Sequence, residues 1–507
     1  MALKTYKDLP QNIGGRRVAL LLILFVLAIY SLITTGFPGF AAICLSPVFI
    51  LIVMMTFSHG MTAFWALIFI NYFVMWHGLP SLPIPMSLPN EMLEILLLVL
   101  ALINIQDSHF ERCANVMFLA LIVWCSFCTL EVLNDTCGIG IDVPSWYATA
   151  RSLAYQLMYI FLVFSIYISK PNILIKYLYV WGGLALFSVF WIWKQKNIGF
   201  LDSENRWLMG RGYETHVLQG GTLIRYFSIA NDAANFGIGI ASTAVAFIVF
   251  AINSKIKKHK RFFIITGLAC AWAIFPSGTR TAIVCFMAGI MAYVFLSKSF
   301  KIAIPVTLTF GILGFLLVFT TVGNGNQQIR RMRSAFDKND ASANVRSINQ
   351  AAMKKYLAEA PWGIGMAVGY RNVPANNKFT FMATVAPDSE YVFIWIHTGV
   401  IGITIFLICT ALMVLGACRI VFFKLRSPSL RGIGAGLCCA MISQQLGGYG
   451  NQVLMQFPNC LVFYGGLTIV YILPYLEEEW NTYEAEQLAI QEEKKRLKQE
   501  KKRAARL

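Results

Sequence analysis

An all-α, polytopic membrane protein is the fold class that three observations predict. Of 507 residues, 57% are hydrophobic and only 13% charged, with a mean hydropathy of +0.62, far from the balance of a soluble domain. The apolar runs are continuous rather than alternating, so each satisfies its backbone hydrogen bonds as a helix, and a membrane β-barrel is excluded. One long polar stretch, from about Val322 to Asp388, interrupts this pattern and is dense in arginine.

Windows of roughly 19 residues place spans near 18–35, 39–57, 60–76, 91–105, 113–131, 150–169, 176–194, 233–253, 261–276, 279–297, 301–320, 390–415, 432–447 and 457–475. That is about 12–14 transmembrane helices, those at 91–105 and 432–447 being short enough to be tilted or re-entrant. The chain divides into a cytoplasmic start (1–17), helices one to eleven (18–321) with an outer loop at 195–232, and a large outer loop carrying an amphipathic helix (322–388). Helices twelve to fourteen (389–476) and a charged cytoplasmic tail (477–507) complete it. Val18 to Thr34 follows a basic start and has no small-residue cleavage site after it, so it reads as a membrane helix and not a cleaved signal.

The net charge of +17 reports orientation before it reports any nucleic acid, and none is predicted as a partner. With both termini cytoplasmic, the inner connections receive Lys170, Lys176, the run Lys255 to Arg261, Lys298, Lys301, Arg419, Lys424, Arg426, Arg431 and the tail from Lys494. The outer loops 78–90, 132–145 and 447–459 hold neither lysine nor arginine. Two outer segments break the rule: the stretch from Lys194 to Asp232, with Arg206, Arg211 and Arg225, and the large loop from about Val322 to Asp388. Basic residues on the disfavoured side suggest an anionic ligand there, although long loops also translocate regardless of charge. The tail mixes acidic and basic clusters and reads as a solvated helix that touches anionic membrane lipids through Lys494 to Arg506.

In the large loop, Val345, Ile348, Ala352, Met353, Tyr356 and Leu357 recur at helical spacing, with Ser342 or Asn344 as cap and Pro361 as stop. Gly363, Gly365 and Gly369 follow a helix and not a strand, so they read as a plain turn and not a dinucleotide fingerprint. The cysteines fall almost entirely in apolar runs, where a thiol is a small hydrophobe, and no disulfide framework follows. No His/Cys/Asp cluster has metal spacing, and neither metal nor cofactor is predicted.

Chemistry is expected from arginines at outer helix ends. Arg280 in Ser277-Gly278-Thr279-Arg280-Thr281 starts a span, where a guanidinium and the helix dipole both favour a phosphate. Arg225 enters another span, and Arg211, Arg346 and Arg371 are further candidates on the same side. Each also has the plain reading of an arginine snorkelling to headgroups. Asp388 in Pro387-Asp388-Ser389-Glu390-Tyr391 lies at the mouth of a span, where an arginine would keep it ionised and able to take a proton from a hydroxyl. It is equally a plausible helix cap, Tyr391 is a secondary candidate, and His397 inside the span reads as structural.

Several of these motifs together resemble the O-antigen ligase and polysaccharide polymerase superfamily of bacterial inner-membrane proteins. They are Asp388-Ser389, nine residues, then Gly399-Val400-Ile401-Gly402; Ser277 to Ala282, with Thr279 where the family has serine; Arg225 to Asn235, with Ala233 where proline is common; and Arg346, Pro361, Gly363, Gly365. The resemblance covers roughly Arg225 to Gly402. It implies a GT-C-like glycosyltransferase, metal-independent and inverting, acting at the periplasmic face on undecaprenyl-diphosphate-linked glycan. Arg225, Arg280 and Arg346 would bind the diphosphate, and Asp388 with Arg280 would act in catalysis. The acceptor would be a glycan or lipid A core, with envelope polysaccharide assembly proteins as partners. Ligases of the family carry histidine where this chain has Asp388 and many polymerases carry aspartate, so the resemblance implies polymerase first and ligase second. A flippase for the same lipid-linked glycan is the rival from another class, but it would place polar residues at mid-membrane in repeated halves, and no repeat is visible.

Overall fold

Every predicted span whose residues are described coincides with a helix, because each offers an apolar run long enough to bury and no unsatisfied backbone. The computed structural model describes residues 15–35, 43, 46, 61–79, 87–218, 221, 223–333, 341–370, 373–384 and 389–504. The described residues are 79% helical with almost no sheet, an all-α polytopic membrane protein. Of the predicted span at 39–57 only residues 43 and 46 are described.

The first half contains α1 (Gly15–Thr35), α2 (Met61–Phe73), α3 (Leu88–Ile103), α4 (Val116–Leu130), α5 (Val143–Tyr167) and α6 (Pro171–Asn197). After a short helix α7 (Asp202–Met209) and a two-stranded hairpin, β1 (Val217–Leu218) with β2 (Leu223–Ile224), come α8 (Ala233–Asn253), α9 (Lys257–Ser277), α10 (Arg280–Leu296) and α11 (Phe300–Phe319). The large loop carries α12 (Gln327–Arg333) and α13 (Ala341–Leu357), and the chain ends with α14 (Glu390–Arg419), α15 (Pro428–Gly450) and α16 (Asn459–Ala504).

Among the described residues, six helical stretches are long and apolar enough by themselves to cross a membrane: those of α4, α5, α6, α8, α14 and α16. The others fall short for local reasons. A basic first turn, Lys257 to Arg261, lowers α9, and glycine and glutamine lower α15. α2 and α10 are apolar but shorter.

The bundle is organised around α8, which is almost wholly buried and packs against α9, α10 and α15. Its sequence alternates large residues with Gly, Ala, Ser and Thr, which lets α9, α10 and α15 approach closely. Ser242 Oγ donates to Ser443 Oγ at 3.0 Å, and Ser443 Oγ donates to the Cys285 carbonyl at 2.9 Å, so one polar chain ties α8, α15 and α10.

Four local expectations need correction. Helix α13 begins at Ala341, so Ser342 and Asn344 are inside it and neither caps it. Helix α5 starts at Val143, within the expected 132–145 loop, because Asp142 caps it and accepts the Ser145 hydroxyl at 2.7 Å. The tail is helical and largely exposed as expected, but it is the continuation of α16 and not a separate element; the 46 residues of α16 span about 69 Å at 1.5 Å per residue. Its first part is packed: Trp480 is 2% exposed, Glu477 Oε1 accepts the Arg426 and Ser427 amides at 2.7 and 2.6 Å, and Glu484 pairs with Lys255 at 2.9 Å. The glycine stretch after Pro361 turns as expected but is more than a turn: Ile364 and Gly365 N–H donate to the Ile396 and His397 carbonyls at 2.9 and 3.0 Å, and Ile401 N–H donates to the Pro361 carbonyl at 3.2 Å. It plugs a break in α14 at Gly399, where φ is 65° and ψ −167°.

Candidate functional site: an arginine-lined helix start

The starts of α8, α10 and α14 meet the ends of α9 and α15 at one end of the bundle. The turn between α9 and α10 is built from Ser277, Gly278 and Thr279, with Gly278 in the left-handed region at φ 58°. Thr279 does not cap α10. Its hydroxyl instead donates to the Ala233 carbonyl at 2.6 Å, joining the turn to the start of α8, and accepts from Arg225 Nη2 at 3.1 Å. Arg225 Nη1 donates to the Thr215 carbonyl at 2.9 Å, and its own N–H donates to the His216 carbonyl at 2.9 Å. From the other side, Arg331 of α12 donates from Nε to the Gly278 carbonyl at 2.7 Å. A side chain at Gly278 would meet Arg225 Cγ at 3.0 Å and Arg331 Nε at 3.5 Å, so the two arginines flank the turn. Arg280 is the next residue but one, half-buried, at the first position of α10. Three guanidiniums and an uncapped helix start favour a multiply charged anion.

The start of α14 is held against the same end. Ser389 Oγ donates to the Gly448 carbonyl at 3.1 Å, and Tyr391 donates its hydroxyl to Gln445, 2.9 Å from the carbonyl and 2.8 Å from Oε1. Tyr391 is thus tied into α15. Glu390, 4% exposed, accepts the Leu454 N–H at 3.1 Å and so fastens α14 to the strap 451–458 between α15 and α16. That strap crosses to the other helix starts: Asn451 Nδ2 approaches Thr281 Oγ1 at 3.5 Å, and Asn235 Nδ2 donates to Gln456 Oε1 at 2.8 Å and the Phe457 carbonyl at 3.1 Å. Ser389 and Thr281 are therefore both attached to the last turn of α15 and the strap that leaves it.

Of the expected site residues, Arg225 and Arg280 are brought together. Arg211 is exposed in the turn after α7 and makes no hydrogen bond to the cluster among the described residues. Arg346 lies on α13, and the placement of its side chain is outside the described residues, as are Arg371 and Asp388 altogether. Arg331, Glu390 and the strap were not singled out from the sequence. Arg331 sits in the conspicuous run Arg330-Arg331-Met332-Arg333, but only the direction of α12 decides which of them faces the turn. His397, read from the sequence as structural, has Nδ1 2.9 Å from the Phe393 carbonyl.

The loop that delivers Arg225 is anchored on buried polar groups. Glu204, with no exposed surface, has Oε1 accepting from Trp76, Trp191 and Gln195 at 2.9, 2.7 and 3.1 Å, and Oε2 accepting the Leu201 N–H at 2.9 Å. His216 Nε2 accepts the Ala233 N–H at 3.0 Å, which leaves its proton on Nδ1, beside Thr215 and the Gly212 carbonyl. Burial and the Arg225 charge push this imidazole from 6.5 down to about 3. The folded loop holds His216 neutral while the unfolded loop protonates at 6.5, so its contribution is complete above pH 6.5 and is lost as pH falls from 6.5 towards 3. By pH 5 the loss is about 2 kcal/mol. Protease sensitivity of the 198–232 loop should rise over that window in the wild type and stay flat in His216→Gln; equal slopes would refute it.

Fold and site together define a class: a polytopic helical membrane protein with an arginine-lined helix start at one end of its bundle. Residues 265–407 match the family model described as O-Antigen ligase, and that match supports the likeness of this segment to the O-antigen ligase superfamily. The match takes in the Ser277 to Arg280 turn, the large loop and the Gly399 to Gly402 motif, while Arg225 precedes it. No curated protein matches the chain.

Proposed function

We propose that this chain is an inverting, metal-independent glycosyltransferase that polymerises undecaprenyl-diphosphate-linked oligosaccharide units into surface polysaccharide at the periplasmic face of the inner membrane. The observation that carries the reading is the pair Arg225 and Arg331 gripping the turn that presents Arg280. This is the chemistry a lipid-linked diphosphate needs as it leaves. The acceptor hydroxyl oxygen attacks the anomeric carbon, the bond from that carbon to the diphosphate oxygen breaks, and the diphosphate departs as an anion against Arg225, Arg280 and Arg346. The hydroxyl proton passes to Asp388, which precedes the anchored Ser389. The large loop covers the start of α14 and limits water as a competing acceptor.

Transfer of the glycan to lipid A core is the second reading, favoured by the description of the matching family as a ligase. Purified protein is to be incubated with an undecaprenyl-diphosphate oligosaccharide, with and without lipid A core, and the products resolved on a gel. A ladder without core, absent in Asp388→Ala, is the expected result. Transfer only when core is present would replace polymerase by ligase, and no transfer under either condition would overturn both.

A further inference from the structure

Between α2, α3 and α5 lies a buried polar cluster that the glycosyl-transfer site does not use. Glu94, Asn71 and Asn90 have no exposed surface, and Glu91 is 4% exposed. Asn71 Nδ2 donates to Asn90 Oδ1 at 2.9 Å, and Asn90 Nδ2 donates to Glu94 Oε1 at 3.0 Å. Gln156 Nε2 donates to both Glu94 oxygens at 2.7 Å, while Arg151 pairs with Glu91 Oε2 at 3.3 Å and reaches Ser87 Oγ at 2.9 Å. Helix α5 turns with π geometry over Arg151–Tyr155. At α-helical pitch, side chains five apart diverge by about 140°, and the wider turn brings Arg151 and Gln156 onto the same neighbour.

Two carboxylates here face one guanidinium. Tyr159 and Cys460, the further titratable groups within electrostatic reach of Glu94, supply no positive charge. A buried net negative charge is not sustained without a counter-charge. Independently, two buried acceptor oxygens, Glu91 Oε1 and Asn71 Oδ1, have no hydrogen-bond partner among the described residues. Orphan acceptors call for a donor or a cation and repel an anion. Carboxylate and amide oxygens are the set that hard cations take.

We infer that this cluster is a binding site for one unit of positive charge, centred on Glu94: a proton, or a dehydrated monovalent cation of the sodium class. The two sources share the same oxygens and are separated by experiment. Full-length protein in detergent is examined by infrared spectroscopy for a protonated-carboxyl C=O band at neutral pH. Its unfolding midpoint is then compared in sodium and choline chloride at equal ionic strength. A band present in the wild type and lost in Glu94→Gln identifies a proton. No such band, with a midpoint raised by sodium over choline and the rise lost in Glu94→Gln, identifies the cation. Wild-type protein with neither response, or responses that survive unchanged in Glu94→Gln, would overturn the site. If that variant does not fold, Gln156→Leu, which removes two donors to Glu94, must shift the band or weaken the sodium response. Failure to do either overturns the site as well.

Discussion

Arg280→Ala is expected to lower turnover about a hundred- to a thousandfold, or about 2.7–4 kcal/mol of transition-state stabilisation, while leaving the amount of folded protein unchanged. The asymmetry follows from the geometry of the turn. Its shape is held by the Thr279 hydroxyl on the Ala233 carbonyl, by Arg225 on Thr279 and by Arg331 on the Gly278 carbonyl. Arg280 begins α10 just beyond that scaffold, with the helix dipole behind it. Arg280→Lys keeps the charge and loses the planar fork, so it should fall between alanine and wild type. Arg225→Ala differs in kind, since it removes the hydrogen bond that ties its loop to Thr279 of the α9–α10 turn and another to Thr215 within the loop, and should reduce folded protein as well as turnover. Turnover by Arg280→Ala at the wild-type rate would sink the proposed role of this cluster.

Gly399→Val should dislodge the large loop from the bundle. At φ 65° and ψ −167°, Gly399 occupies backbone space that is nearly glycine-only, which costs another residue about 1–3 kcal/mol. A Cβ there would lie 2.0 Å from the Pro361 carbonyl oxygen and 2.3 Å from the Gly363 nitrogen, so the plug itself has to move. Its backbone hydrogen bonds to α14 go with it, at about 0.5–1.5 kcal/mol each. The expected outcome is faster proteolysis within 341–384 together with loss of transfer. Gly363→Val, whose Cβ would lie 2.5 Å from the Gly399 nitrogen, should do the same, and the double variant should cost little more than either alone because both break one contact. An unaltered proteolysis pattern in both single variants would remove the plug from the account of loop closure.

That contact separates what was legible in the residues from what was not. Pro361, Gly363 and Gly365 stood out as a glycine turn, and Gly399 with Gly402 as half of a motif. Nothing in their spacing shows that one plugs the other, since a contact between segments some thirty-five residues apart has no periodicity to betray it. The same holds for the arginines. Arg225 and Arg280 were visible as charges at the ends of apolar runs, where the cost of burying a guanidinium makes each conspicuous. Arg331 was one of several arginines in a run, and its place became clear only from the hydrogen bond to Gly278. Glu390 and the strap 451–458 carry no such signal, because a buried carboxylate meeting a backbone N–H leaves no pattern in composition. Glu91, Glu94 and Arg151 likewise sat within or beside apolar runs.

The sequence alone determined that this chain is a helical membrane protein, where most of its described helices lie, and the likeness of its 265–407 segment to the O-antigen ligase family model. Those properties rest on local free energies: the transfer of apolar side chains out of water and the demand that each backbone group in lipid be satisfied within its own helix. Only the tertiary structure decided that α8 is the centre, that Arg331 joins Arg225 at the turn before Arg280, and that the large loop is fastened through a break in α14. Those depend on packing small residues against one another and on pairing polar groups between segments far apart in the chain, and such interactions exist only once the helices are assembled.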